Sequence, residues 1–402
     1  MPRLAVLHYA LGRFGGAAKI AILQAVYLSR MGFDVEMFYG GPILDDWKRK
    51  AMERVPVNSL PLGLPKSLQD AKNIIMTLKK LGAFDVILVS HGICPFFSRY
   101  LTMLLGHKVV WYCGEPLRAL WEDYVSRESY ETQRGTVKPT SKMLYGKTYS
   151  SIFLSETLYN LSIHTLRTLD KKTVGSYRKI MANSYFTKKV VKELYKTDYD
   201  VPVVHPGVDV TQYANVKTSK CLVSDFILAV GAMIPMKNHV TLLRALKRLP
   251  AHYKSRIKLL IIGDGPMKSE ISSMIRDSDL QNVELRANVT EEELLTYYTH
   301  CRFVVHVALY EPFGLVPLEA ALFGKTSIIS NLGGTKEFVI DGETGILVDP
   351  YSTIEIANAM VSLIDNSELA HTMGLRARKR ALAEFTMEMS SKSIAKILKS
   401  DN

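Results

Sequence analysis

Short apolar runs separated by longer amphipathic stretches set the rhythm of this chain. Leu4-Ala5-Val6-Leu7-His8-Tyr9 is the first run. A glycine-bearing loop, Ala10 to Gly16, follows it, and then a helical pattern from Ala17 to Met31 closed by Gly32. Val35 to Tyr39, Val86 to Ser90, Lys108 to Tyr112, Lys179 to Asn183 and Val203 to His205 are further strand-like runs. The pattern then restarts. Phe226 to Gly231, Lys258 to Gly263, Val283 to Leu285, Arg302 to Val307, Ser327 to Ile329 and Gly345 to Val348 read as strands. His239 to Leu249, Met267 to Asp277 and Leu315 to Phe323 read as helices between them. Buried runs alternating with helical patterns predict parallel sheets covered by helices on both faces. The polar, irregular stretch Val208 to Ser224 divides the two series. The expected fold class is therefore α/β, with two doubly wound, Rossmann-like domains spanning 1–207 and 208–375. Ligands of such sheets bind beyond the carboxyl ends of the strands, so a shared cleft is expected.

Composition narrows the setting. The chain has 402 residues, 47% hydrophobic and 22% charged, enough for two domains with full cores. No stretch approaches the roughly 20 apolar residues of a membrane-spanning helix. The chain opens directly on a strand, which reads as no signal peptide. Cys94, Cys113, Cys221 and Cys301 form no Cys-x-x-Cys pair and read as buried thiols of a reducing compartment. A cytoplasmic location is expected. Lys and Arg total 51 against 39 Asp and Glu, a formal charge of +12. That balance suits phosphates, anionic lipid or nucleic acid, although a solvated basic surface needs no partner.

The most informative carboxylates are Glu311 and Glu319, in Tyr310-Glu311-Pro312-Phe313-Gly314-Leu315-Val316-Pro317-Leu318-Glu319. The first falls in a strand-to-helix loop and the second about a turn into the helix. Free amides at a helix start suit an anion such as a diphosphate. A carboxylate one turn in can accept from vicinal hydroxyls, and one in the loop can reach a second polyhydroxylated group. Such a site fits phosphate flanked by two sugars. Glutamates at this spacing are also common as solvated helix residues.

The full string resembles the Glu-x7-Glu signature of retaining GT-B glycosyltransferases of family 4. The resemblance implies that Glu311 contacts the transferred sugar and that Glu319 binds the nucleotide ribose. Phe313, Gly314, Leu315 and Val316 then line the donor. More of the family pattern follows in order along the chain. Gly12-Arg13-Phe14-Gly15-Gly16 resembles its glycine-rich loop, placing Arg13, Gly15 and Gly16 at the donor phosphate. Met181-Ala182-Asn183-Ser184 resembles the strand end that enters the cleft, and His205-Pro206-Gly207-Val208-Asp209 the entry to the second domain. Gly333-Gly334-Thr335-Lys336-Glu337 and Asp341 to Gly345 resemble the segment after the glutamates. His91, at a strand end, takes the place of a histidine that contacts the donor sugar near the reacting carbon. Arg286, after the run Val283-Glu284-Leu285, is included in the donor-binding set as a further cation. The resemblance also implies that 376–402 cross back to the first domain, and that no metal or other cofactor is needed beyond a GDP- or UDP-sugar donor.

Two motifs depart from the pattern. Gly231-Ala232-Met233-Ile234-Pro235-Met236-Lys237 keeps Gly231 and Lys237 of the phosphate clamp, but Ala232 stands where the family has Arg. A lone Lys is a point charge where Arg would form a bidentate fork. Trp111 to Arg118 resembles Tyr-Cys-His-Glu-Pro-Pro-Arg of a subset that includes mannosyltransferases acting on lipid-linked sugars. Gly114 replaces the His and Leu117 the second Pro. Glu115 and Arg118 become acceptor-binding candidates, and a glycan or lipid-linked acceptor becomes the expected partner, with no nucleic acid. Thr148 to Leu169 mixes apolar and basic positions, which suits a membrane-surface helix and equally a helix packed on the sheet. Peripheral contact with an anionic membrane is a further expectation.

Five short motifs are set aside. Gly324-Lys325-Thr326 lacks the glycine a P-loop needs at position 319, and Gly263-Asp264-Gly265 and Gly12 to Gly16 lack the dinucleotide spacing. Asp198-Tyr199-Asp200 and Asp277-Ser278-Asp279 have Asp-x-Asp form in polar loops, so no metal site is assigned. Other readings are a GT-B epimerase or phosphorylase, or a catalytically silent nucleotide-sugar-binding partner of another transferase, which Ala232 motivates.

Overall fold

A computed structural model describes residues 1–8, 15–39, 53–59, 68–91, 95–116, 121, 156–198, 200–212, 226–278 and 280–400. They form two compact units. The first unit holds β1 (Arg3–His8), α1 (Gly16–Arg30), β2 (Asp34–Tyr39), β3 (Val57–Ser59), α2 (Leu68–Gly82), β4 (Val86–Ser90), α3 (Pro95–Leu105), β5 (Val109–Cys113), α4 (Glu156–Val174), β6 (Lys179–Ala182) and α5 (Tyr185–Tyr195). Its strands make a parallel sheet in the order β3-β2-β1-β4-β5-β6. Ala5, Leu7, Ile87, Val89, Trp111 and Ile180 lie in one core cluster, and Leu4, Val6, Leu88 and Val110 on the opposite face are equally buried, as expected of strands covered on both faces.

The second unit repeats the plan with β7 (Phe226–Val230), α6 (His239–Arg248), α7 (Ala251–Lys254), β8 (Lys258–Ile262), α8 (Lys268–Asp277), β9 (Val283–Arg286), α9 (Glu291–His300), β10 (Val304–His306), α10 (Leu315–Leu322), β11 (Ser327–Ser330), β12 (Gly345–Val348), α11 (Thr353–Asp365) and α12 (Ser367–Glu384). Its parallel sheet runs β12-β11-β10-β7-β8-β9. Both sheets therefore reverse direction once, between β1 and β4 and between β7 and β10. Such switch points open a crevice at the carboxyl ends of the two strands. This is the two-sheet α/β arrangement of the GT-B fold.

The last helix, α13 (Met387–Lys399), belongs to the first unit, where it packs on α1. The Met387 amide donates to Val208 O at 2.9 Å. Arg178 donates to Leu398 O at 3.1 Å, and Lys399 lies over the Phe33 ring. Nearby, Tyr27 Oη donates to buried Asp209 at 2.8 Å. Burial and that carboxylate push the phenol pKa up to about 12.

Two readings of the chain differ from the structure. Val203 to His205 is not a multi-residue strand; only Val203 bridges Ala182, because Pro202 and Pro206 bracket it and cannot donate to a ladder. Val57–Ser59 carries no apolar run, yet it pairs with Met37–Tyr39 as an edge strand. Among the described residues no helix is long and apolar enough to cross a membrane.

In the second unit α12 packs on α10, and Gly374 meets the turn after α10, where an added Cβ would lie 2.0 Å from the Gly324 carbonyl oxygen. That neighbour is backbone and cannot swing aside. Gly374→Ala is expected to destabilise the unit by about 1–3 kcal/mol, read as a lower urea midpoint; an unchanged midpoint would contradict this packing.

Candidate functional site

The second-unit site grows from the switch point between β7 and β10. After β7, Gly231 leads into a one-turn helix, Pro235–Lys237, that ends on Asn238 in the left-handed region. Asparagine tolerates that conformation, and its side chain fixes the loop. Asn238 Nδ2 donates to Val307 O at 3.0 Å and to Pro350 O at 2.8 Å. The Leu309 amide donates to Met236 O at 2.8 Å. The loop after β7 is thus stitched to the segment after β10, which brings Lys237 and Glu311 together.

Lys237 Nζ forms a short salt bridge with Glu311 Oε2. His306 Nε2, from the end of β10, lies 3.2 Å from the same oxygen. Burial acts to raise the Glu311 pKa. The Lys237 charge, the His306 hydrogen bond and the Lys237 hydrogen bond outweigh it and hold the carboxyl well below the usual carboxylate range. Glu311 is therefore ionised throughout the working pH range.

Two glycines make the loop possible. Gly314 has φ +82 as it caps α10, and a Cβ there would meet the Glu311 Cγ at 2.9 Å and Thr335 Oγ1 at 3.0 Å. Gly333 has φ +77 and would meet Glu311 O at 2.5 Å. Only glycine accepts both the left-handed backbone and the contact. The Gly334 amide donates to Glu311 O at 2.9 Å, tying the segment after β11 to the site. Thr335 is buried beside Gly314, and its Oγ1 has no hydrogen-bond partner.

One turn into α10, Glu319 is buried and accepts from Tyr298 Oη at 3.1 Å. Leu315 and Val316 are half-buried at the helix start, whereas the Phe313 ring is buried against Phe385, leaving its backbone as the part nearest the loop. Arg286 ends the sheet-edge strand β9; it pairs with Glu284 at 2.5 Å and contacts the Tyr297 hydroxyl. Ala232 is exposed. Beside Gly231, His239 packs against the backbone of Gly231 and Ala232; burial, opposed by those backbone contacts, lowers its pKa to about 4.

In the first unit, His91 follows β4 with a left-handed φ of 66, a conformation costly for a non-glycine residue. Its amide donates to Tyr112 O at 2.9 Å, and its carbonyl accepts from Trp111 Nε1 at 3.0 Å. Ser90 Oγ lies 3.3 Å from His91 Nδ1 and donates to Gln24 Oε1 at 2.9 Å. His8, at the end of β1, meets the imidazole edge-on with ring centres 5.6 Å apart. Burial first, and His8 second, push the His91 pKa down to about 3. The ring is neutral at pH 7, so it offers one donor and one acceptor. A Cβ on Gly114 would sit 2.2 Å from the imidazole. Gly114 thus leaves the room that the His91 ring fills.

Gly15 caps α1 and Gly16 begins it. Glu115 follows β5 and is half-buried. Arg13 and Arg118 lie outside the described residues, as do Asp279 and residues 148–155. Among the described residues no group of three His, Cys, Asp or Glu side chains could hold a metal. Sequence reasoning missed His306, Tyr298, Asn238 and Thr335. For His306 a signal existed, a polar residue inside the apolar run Phe303 to Val307 five positions before Glu311. For Tyr298 and Thr335 nothing in the chain reveals the contact.

Residues 218–380, all of this loop system, match the sequence family described as glycosyl transferases group 1. An uncharacterized glycosyltransferase of Methanocaldococcus jannaschii is 28% identical over 173 residues, 43% of this chain and 47% of that protein. The human alpha-1,3/1,6-mannosyltransferase ALG2 is 28% identical over 241 residues, covering 55% and 58%. The chain thus spans about half the length of the curated relatives it matches. Among solved structures, Anabaena HepE in complex with UDP and glucose superposes with a TM-score of 0.73 at 17% identity, covering all of both chains. WaaG, a glycosyltransferase involved in lipopolysaccharide biosynthesis, gives 0.69 at 14%, covering 99% of this chain and 100% of its own. These likenesses are to the GT-B fold.

If the His91 ring is a working part, Gly114→Ala should displace it and lower sugar transfer at least tenfold, an effect of about 1.4 kcal/mol. Adding Gly114→Ala to His91→Ala should cost little more, because the two act through one ring. Additive losses in the double variant would separate Gly114 from His91.

Proposed function

We propose that this chain is a retaining glycosyltransferase of family 4 that moves a hexose from a nucleoside diphosphate sugar to an acceptor hydroxyl. The observation that carries the reading is the pinned cluster at the β7–β10 switch point. An ionised Glu311 sits beside a cation, Lys237, immediately before the free amides that open α10. In the reaction, the bond between the sugar's anomeric carbon and the phosphate oxygen breaks, and both electrons leave with the diphosphate. The acceptor oxygen bonds to that carbon from the same face and yields its proton to a phosphate oxygen. Charge grows on the leaving diphosphate, and fixed donors aimed there lower the barrier. Lys237 and the amides of Gly314 and Leu315 supply them. Glu319 binds the ribose hydroxyls, Glu311 a hydroxyl of the transferred sugar, and His91 contacts that sugar. Glu115 and Arg118 bind the acceptor. The first unit's sheet carries the acceptor role and the second the donor role.

A UDP-sugar is supported by the UDP and glucose named with HepE, and a GDP-sugar fits the same chemistry. A mannose- or glucose-type sugar and a lipid-linked or surface glycan precursor are supported by the relation to ALG2 and by the Trp111 to Arg118 string. The positive charge comes from Lys237 and backbone amides, so no metal is required, and the reaction would run at the cytoplasmic face of a membrane. Ala232 favours one second reading, a silent nucleotide-sugar-binding partner, because the arginine fork is missing.

Calorimetry with UDP and GDP, paired with transfer assays, tests these roles. Glu319→Ala should weaken nucleotide binding roughly tenfold or more, since hydrogen bonds to a charged group contribute about 1.5–3 kcal/mol. Glu311→Ala should reduce turnover more than nucleotide affinity, and Lys237→Ala should nearly abolish transfer. Equal, unchanged affinity in both glutamate variants would overturn the assignment. Turnover by the purified wild type would remove the silent-partner reading.

Transfer should also survive EDTA. Loss of activity with chelator, restored by manganese or magnesium, would refute the metal-free account.

A further inference from the structure

The outer faces of α2 and α3 carry an apolar patch that the donor chemistry does not use. In α2, Ile74, Leu78 and Leu81 turn into the core, while Lys72, Ile75, Met76 and Lys79 face solvent in an i, i+3, i+4, i+7 stripe. In α3, Phe97 and Leu101 are buried, while Tyr100, Met103 and Leu104 are exposed. The two helices adjoin, and α4 covers another side of α3. Ile75, Met76, Tyr100, Met103 and Leu104 are each more than half exposed. They are five of the thirteen exposed large apolar side chains among the described residues, gathered on two neighbouring helices. Scattered singly they would mean little, but a group gathered on two adjoining helices marks an interaction surface.

We propose that this α2–α3 face seats the protein on an anionic membrane surface. Charge selects the occupant. Lys72, Lys79 and Lys80 lie on α2 and Arg99 on α3, against one acidic residue, Asp70, in the two helices. Lys80 is partly engaged by Glu36, but Lys72 and Lys79 flank Ile75 and Met76 directly. A second copy docked symmetrically would bring the same lysines together, whereas anionic headgroups complement them and the chain's +12 charge. The apolar side chains would enter the headgroup boundary as those of an interfacial helix do. The stretch Thr148 to Leu169 is not needed for this contact, since in the described part α4 packs on α3. The inference rests on the proposed function only in that a lipid-linked acceptor gives membrane seating a purpose.

Cosedimentation of the full chain with phosphatidylcholine vesicles, with and without phosphatidylglycerol, tests it. Binding should require phosphatidylglycerol and fall as salt rises. Met103→Glu with Leu104→Glu should lower vesicle binding at least tenfold, while thermal unfolding and UDP or GDP affinity stay unchanged. Met103→Gln with Leu104→Gln, a gentler change should the glutamates disturb folding, should show the same loss. Lys72→Glu with Lys79→Glu should lower binding by a similar factor. Wild-type vesicle binding by the glutamate variant, or no wild-type binding at low salt, would overturn the proposal. So would a wild-type dimer that the variant converts to monomer, which would make the face a contact between copies. Nucleotide affinity retained in a variant that has lost the vesicles separates this surface from the donor reading.

Discussion

The ion pair between Lys237 and Glu311 is the interaction on which the second unit's site depends. A half-buried carboxylate without a cation would be driven toward its neutral form. Here the cation is delivered from a different strand end and held by backbone and side-chain bonds that do not themselves touch the site. Asn238 spans to Val307 and Pro350, and the Leu309 amide closes on Met236. Those bonds fix the distance between the loops after β7 and β10, so the ion pair forms without further ordering of the backbone.

Each unit uses its topological switch point, and each places a polar residue at the end of a central strand there. In the second unit that residue is His306, which bonds to Glu311; in the first it is His8, which meets the His91 ring. The electrostatic tasks differ. Around Glu311 a fixed charge is preserved by a cation and an imidazole. Around His91, burial and a second imidazole keep the ring uncharged. A neutral histidine is a hydrogen-bonding group and not a counter-ion; in the proposed reaction the leaving-group charge falls to Lys237 and the helix-start amides. The exposure of Ala232 means that a longer side chain could be accommodated there without rebuilding the core. Packing therefore does not require an alanine at this position.

Much of this was legible in the chain. Continuous apolar runs such as Val86–Ser90 and Lys258–Ile262 could only be strands buried on both faces, and the amphipathic stretches between them could only cover those faces. The string from Tyr310 to Glu319 carried its own geometry, because Pro312 and Gly314 leave few ways to join a strand to a helix. Short or proline-bracketed elements were not legible: Val57–Ser59 has no periodicity, and Val203 to His205 looks like a strand until its flanking prolines limit the pairing.

What the sequence could not determine is which side chains meet. Lys237 and Glu311 are 74 positions apart, Gly114 and His91 come from neighbouring strands, and Tyr298 reaches Glu319 from the preceding helix. Local preference and hydrophobic period act over a few residues, so they specify elements and the positions of loops. Contacts across strands depend on sheet order, on register and on glycines that admit close approach, and these are properties of the packed chain. The residue types needed for phosphate and sugar chemistry were written in the sequence; their pairing, ionisation and mutual support were decided by the tertiary structure.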